Sequence, residues 1–350
     1  MFPAETPPPC VECETGPVFE PVLGRRDFIR VIGATAAAAA FGGALTPLQK
    51  ARAARAAKQS EAEGLVFDLF KSMSGDQKKA LVHAWDAGAT AKGGMPTRLM
   101  THNAPVGKTV IGEVYDKKQG EILHKIFKSI SNGEEGYKRL SRNGKFDNSG
   151  DFENIGAIIY GEPVEGKKFS LVFSGHHITL RCDGNSEEST AFGGPLYYGH
   201  SPNGYDGQNV FAYQTKASTE VFRSFNEKQR SVAVMSGKWQ DGVASVKLPA
   251  KGATSPGLSV QEMSKDQRAL IETVMRELIS PYRKEDGDEV MEIVKAGGGL
   301  EKMTMAFYKE GTNSEKEPWT YWRLEGPGFV WSFRALPHIH TFVNVSSKPA

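Results

Sequence analysis

Four histidines in two tight motifs carry most of the chemistry this chain can offer: Gly175-His176-His177 and His338-Ile339-His340. Neutral imidazole nitrogens are good ligands for zinc, copper or iron. Three of them around one ion leave a position open for water or substrate. On a strand, His338 and His340 share a face with their Cα atoms about 6–7 Å apart, close enough to hold one metal. His176 and His177 are adjacent, so on a strand they look to opposite faces, and one of them is expected to complete the site. Glu325 is a candidate fourth ligand or general base, and Arg323, on the same face, a candidate anchor for an anionic substrate group or a partner for Glu325. Two alternatives use the same residues: a histidine–glutamate acid/base pair without metal, and histidines simply hydrogen-bonded inside a sheet.

The elements that must position these side chains are strands. Lys168 to Leu180 reads as one long strand, rich in β-branched and aromatic residues and free of proline. Ala157–Tyr160, Ser189–Tyr198, Met303–Tyr308, Trp319–Glu325, Phe329–Arg334 and His338–Val345 read as strands too. Gly326-Pro327-Gly328 marks a hairpin and Asp183-Gly184-Asn185 a turn. Short connections between successive strands imply antiparallel neighbours. Helical spacing appears at Leu65–Met73 and Gly120–Ile130, and after Ser264, where Leu270, Val274 and Leu278 fall in register. Ser74-Gly75-Asp76-Gln77 reads as a capping box, and the device returns at Asn226 and Ser264. A shared cap is preferred here to an internal duplication. The expected fold is α+β, an antiparallel sheet with flanking amphipathic helices.

The chain has 350 residues, 39% hydrophobic and 24% charged, with a formal net charge of +2. That is globular composition, with no basic excess to suggest nucleic acid. Gly24-Arg25-Arg26-Asp27-Phe28-Ile29-Arg30, an alanine-rich apolar run and two small-x-small sites resemble a twin-arginine export signal. The expectation is a cleaved leader over 1–56, a single α+β domain over 57–350, export by the twin-arginine machinery, and a periplasmic or secreted product. An uncleaved anchor is the alternative, but the run is too short and too weakly apolar for a stable membrane span. Cys10 and Cys13 fall in the leader, which leaves Cys182 and no internal disulfide. Gly297-Gly298-Gly299 lacks the lysine and hydroxyl of a phosphate loop, so no nucleotide cofactor is expected. Asp147-Asn148-Ser149-Gly150-Asp151 lacks the EF-hand spacing and reads as a plain loop. His83 and His124 read as exposed, and His200 as a member of a glycine-rich loop, with a place at the edge of the histidine cleft as the lesser alternative.

Several segments, taken in order, resemble the domain of unknown function 3500 family, found in exported bacterial and some fungal proteins. They are Met73-Ser74-Gly75-Asp76-Gln77, Gly161-Glu162-Pro163, Phe173 to Leu180, Pro195-Leu196-Tyr197-Tyr198-Gly199, Tyr321 to Pro327 and His338-Ile339-His340-Thr341. The resemblance implies a fold and a site rather than a reaction. Asn344 and Val345 stand where family members carry Arg-Asp, and Arg181 where they carry asparagine. The functional expectation is an exported metal-dependent hydrolase acting on an unidentified small molecule; the alternative is a non-catalytic periplasmic metal- or ligand-binding protein.

Overall fold

Valine, isoleucine, leucine and aromatic residues fill much of 156–200 and 304–345, and these stretches become strands. The computed structural model describes residues 61–346 apart from 91–93, 188–189, 239–241, 251, 311 and 313. In chain order its strands are β1 Val82–His83, β2 Gly156–Gly161, β3 Phe169–Gly175, β4 Ile178–Cys182, β5 Leu196–His200, β6 Val234–Met235, β7 Leu258–Ser259, β8 Thr304–Tyr308, β9 Tyr321–Gly326, β10 Phe329–Arg334 and β11 Ile339–Val345. They form one sheet, in the order β1-β2-β3-β4-β5-β11-β10-β9-β8-β6, with β7 beside β8. The fold is α+β, but the sheet is mixed rather than purely antiparallel, because β1 runs parallel to β2 and β6 to β8. The twin-arginine leader expected over 1–56 lies outside the described residues. Among the described residues no helix is long and apolar enough to cross a membrane.

Alternation along the strands separates two faces. Phe173, Leu180, Tyr198, Val343, Trp331, Trp322 and Phe307 join the helical residues Leu69, Phe127, Val221 and Val274 in one continuous core. The opposite face carries smaller apolar groups, among them Tyr197, Phe342 and Val246. Loops and short helical turns cover that face: Arg181 donates to the carbonyls of Arg98 and Met100, and Arg323 to those of Ala244 and Ser245. His340 lies on this loop-covered face, beside Arg334 on β10.

The long strand expected from 168 to 180 is instead a hairpin. Gly175 pairs with Ile178, and His176-His177 form the two-residue turn between β3 and β4. His177 takes the left-handed position with φ 55°, a conformation in which histidine is enriched among residues with side chains. The two histidines therefore do not alternate across a sheet; their rings lie 3.8 Å apart, centroid to centroid.

The two halves of the sheet repeat one plan, which overturns the shared-cap preference. In the first, Val82 of β1 faces Ile159 and the β3–β4 hairpin closes at Gly175–Ile178. In the second, Val234 of β6 faces Phe307 and the β9–β10 hairpin closes at Gly326–Phe329, around Pro327-Gly328. Gly328, at φ 79°, stands where His177 does. The caps repeat as well, and a fourth capping box at Asp116–Gln119 completes the set. Gln77 and Gln119 exchange amide hydrogen bonds while Gln119 donates to the Ser72 carbonyl. Gln229 and Gln267 do the same while Gln267 donates to the Ser224 carbonyl. Shared caps alone would not reproduce registers and cross-helix pairs together. The halves meet where β5 pairs with β11.

Because Gln119 and Gln267 occupy equivalent places, Gln119→Ala and Gln267→Ala should cost similar stability. Each strands a cap N–H, a carbonyl and a partner glutamine, for about 1–3 kcal/mol. Urea unfolding of the two variants checks this; a cost confined to one of them would contradict the equivalence.

Candidate metal centre

The site sits at the junction of the two halves, where β4, β5, β11 and β10 lie side by side. His177 comes from the β3–β4 turn, His340 from the first turn of pleat on β11, and His338 from the loop just before it, after the cis Leu336–Pro337 bond. Between the first two runs β5, and the residue opposite His340 is Gly199. A Cβ on Gly199 would stand 3.1 Å from His340 Cδ2, 3.3 Å from His177 Cγ and 2.3 Å from the Ile339 carbonyl oxygen. Glycine at this position lets the two rings close over the strand.

Three Nε2 atoms converge there. His338 Nε2 is 3.1 Å from that of His177 and 3.0 Å from that of His340. Three nitrogens on a tetrahedral zinc, at 2.0–2.1 Å each, stand about 3.3–3.4 Å from one another, so the arrangement fits an ion after small adjustments. Nitrogens this close repel unless a cation or proton lies between them. The Arg334 guanidinium supplies one, donating from Nη2 to the Nε2 atoms of both His338 and His340 at 2.9 Å. Arginine only donates, so both of these nitrogens present lone pairs.

Asp147 organises the other side. Its carboxylate accepts from His177 Nδ1, which orients the ring with Nε2 toward His338. The Ser201 amide and hydroxyl donate to the same oxygen at 3.2 and 2.9 Å. His176 Nδ1 lies 3.5 Å from that oxygen, and His200 Nδ1 3.5 Å from the other. Burial pushes the Asp147 carboxyl up, but hydrogen bonds from His177, His200 and Ser201, with the charge of His177, outweigh this and hold it well below the usual carboxylate range. Asn103 Oδ1 accepts from the His177 amide at 2.7 Å and from the Tyr197 hydroxyl at 3.1 Å. Buried Arg142 donates to the His176 carbonyl at 2.9 Å. His338 is pushed down to about 4 by burial and then by the charges of Arg334, His340 and His177. At neutral pH it is uncharged.

The structure thus brings His177, His338 and His340 together, and groups His176 with Asp147 and His177. It does not bring Arg323 and Glu325 to them. These two pair with each other at 2.6 Å. The register sets Glu325 four residues along and two strands across from His340, about 17 Å away at Cα, and Arg323 about 12 Å away by the same measure. Stacked Tyr197 and Phe342, with Val246, fill the space nearer the site. Asn344 belongs to that distant patch, donating to the Val246 carbonyl at 2.8 Å, and Val345 is in the core. Two site residues escape the sequence reading: Asp147 lies in the acidic loop set aside as plain, and Arg334 at the end of β10 one strand from His340. His200, whose place at the cleft was the lesser expectation, lies beside Asp147. Only the β10–β11 pairing could have pointed to Arg334. His124, expected to be exposed, is half-buried, with Nε2 2.7 Å from the Tyr137 hydroxyl.

Fold and site define an α+β protein with a three-imidazole cluster at the centre of its sheet. The chain belongs to the family described as Protein of unknown function (DUF3500), which matches residues 56–346. No curated protein and no solved structure matches it.

Two outcomes follow for the metal-free protein. His338 is lowered from 6.5 to about 4 on folding, so between those values the unfolded chain takes up a proton that the folded one refuses. Stability is fully present above about pH 6.5 and falls as pH drops toward 4. Urea midpoints between pH 7.5 and 4.5 should show this slope, and His338→Gln should flatten it; an unchanged slope would contradict the assignment. Gly199→Ala should destabilise by about 1–3 kcal/mol, the usual cost of overpacking, because its Cβ meets backbone and both rings. Wild-type stability in that variant would show the rings free to move apart.

Proposed function

We propose that the protein binds one divalent transition metal, zinc, copper or iron, through the Nε2 atoms of His177, His338 and His340, and uses it in hydrolysis. The observation that carries this reading is the convergence of three imidazole nitrogens, with His338 Nε2 3.0–3.1 Å from those of the other two and the His177 ring held from behind by Asp147. A carboxylate behind a ligating imidazole orients the ring and raises its basicity. His338 is the least buried of the three, and this reading puts the open position on its side. When bound, the ion would supply Lewis-acid activation of water or of a substrate carbonyl or phosphoryl oxygen. The chain's own part is to hold three imidazole nitrogens in place, keep Asp147 ionised and set a cation, Arg334, beside the trio. We assign no catalytic step to Arg323 or Glu325.

A second reading, a periplasmic metal- or ligand-binding protein without catalysis, draws on the guanidinium that already lies against two of the three nitrogens. Both readings place the protein outside the cytoplasm, delivered by the twin-arginine machinery, and rest there on the arginine pair and cleavage sites of residues 1–56. Edman sequencing of exported protein should then begin close to residue 57.

Elemental analysis of protein purified from the periplasm should find about one equivalent of zinc, copper or iron. His177→Ala, His338→Ala and His340→Ala should lose it while keeping the wild-type circular dichroism spectrum. Asp147→Asn should weaken binding by about 10–100-fold, the usual effect of removing a partner behind a metal ligand. Glu325→Gln should retain full metal. Metal-free wild type, together with histidine variants that unfold, would make the cluster a structural polar network instead.

A further inference from the structure

Arg334 stands too near the histidines to be a bystander once a metal binds. Its Nη2 lies 2.9 Å from the Nε2 atoms of both His338 and His340, which are themselves 3.0 Å apart. An ion about 2.05 Å from both nitrogens would then be at most about 4 Å from Nη2, whichever side it took. Two cations at that range repel strongly at low dielectric. Either the guanidinium leaves, or something negative lies between them. Leaving is hindered, because Arg334 Nε also donates to the His338 carbonyl at 3.1 Å. That bond ties the side chain to the same loop that carries the ligand.

Taking the metal site above as the starting point, we propose that its ligand is a small oxyanion, a carboxylate or a phosphate, held between the ion and the Arg334 guanidinium. One oxygen takes the open metal position and another accepts from Arg334. The planar fork of arginine suits such groups, and a guanidinium beside a metal favours a dinegative or bridging ligand over a neutral one. Without the anion, Arg334 opposes metal binding by occupying two lone pairs and by its charge. With it, the same residue favours binding. Metal and oxyanion therefore bind cooperatively, and linkage requires each to tighten the other by the same factor.

The test is a titration with cobalt(II), followed by its visible absorption, in a non-coordinating buffer, alone and with millimolar acetate or inorganic phosphate. For the wild type, the oxyanion should tighten cobalt binding about tenfold or more, equivalent to about 1.4 kcal/mol of coupling. An effect of acetate alone assigns a carboxylate ligand, and an effect of phosphate alone a phosphate. Arg334→Gln should bind cobalt more tightly than wild type without the anion and lose the anion effect. Arg334→Lys, which keeps the charge, should retain part of it and serves if the glutamine variant does not fold. Cobalt binding that ignores both anions, or an anion effect that survives in Arg334→Gln, would overturn the oxyanion proposal and leave the metal site standing. No cobalt binding under any condition would overturn both.

Discussion

One close approach governs the centre of this molecule. Two rings on strands that are not neighbours, His177 from the β3–β4 turn and His340 on β11, meet above the intervening strand because that strand presents no side chain at Gly199. Everything else at the site follows from holding polar groups in that narrow space. Asp147 must be ionised and saturated with donors. Asn103 must bind the turn amide. Arg334 must satisfy nitrogens that would otherwise repel. The backbone shows the cost: Phe146, Asp147 and His177 all have left-handed φ, at 46°, 54° and 55°, a conformation that costs a residue with a side chain roughly 1–2 kcal/mol. Such strain persists only where surrounding contacts enforce it, and it gathers at functional sites.

The duplicated architecture explains why the described residues hold one such site and not two. Each half contributes a hairpin with a two-residue turn, and because β5 runs antiparallel to β11 the two turns lie at opposite ends of the sheet, one beside Gly199 and the other beside Ser346. In the first half the turn is His176-His177, and in the second Pro327-Gly328. The repeat supplies the scaffold twice and the imidazoles of the turn once. The second half brings its histidines by another route, from the loop between β10 and β11.

Much of the scaffold was legible in the residues. The β9–β10 hairpin is marked by Gly326-Pro327-Gly328, and the His338-Ile339-His340 spacing does bring two imidazoles together, although His338 does so from the loop before β11 and not from the strand. The β3–β4 turn was not legible, because the signal for a turn is glycine or asparagine at the left-handed position. Here that position is His177, and Gly175 sits one step outside the turn, where its missing side chain makes room for Ile155. Reading through the turn sent the two histidines to opposite faces, whereas in the molecule their rings lie side by side, 3.8 Å apart. Glu325 and Arg323 share a face with His340, as alternation implies. Period two says nothing about distance along a strand, however, and the register set them apart. Asp147 was hidden for a related reason: an acidic loop shows its charge in the sequence, not which histidine it meets.

The repeat was legible only as a recurring cap. Capping boxes are common and follow from local chemistry, so three of them did not require a common ancestor unit. Gln77–Gln119 and Gln229–Gln267 are contacts across helices far apart in sequence, and only coordinates show that both pairs are made in the same way.

The central claim is that the three Nε2 atoms face one ion. Anomalous diffraction from crystals grown with zinc, collected on either side of the zinc edge, tests it most directly. The account predicts a single strong peak about 2.0–2.1 Å from the Nε2 atoms of His177, His338 and His340. No peak there, with the Arg334 guanidinium still bonded to His338 and His340, would contradict it.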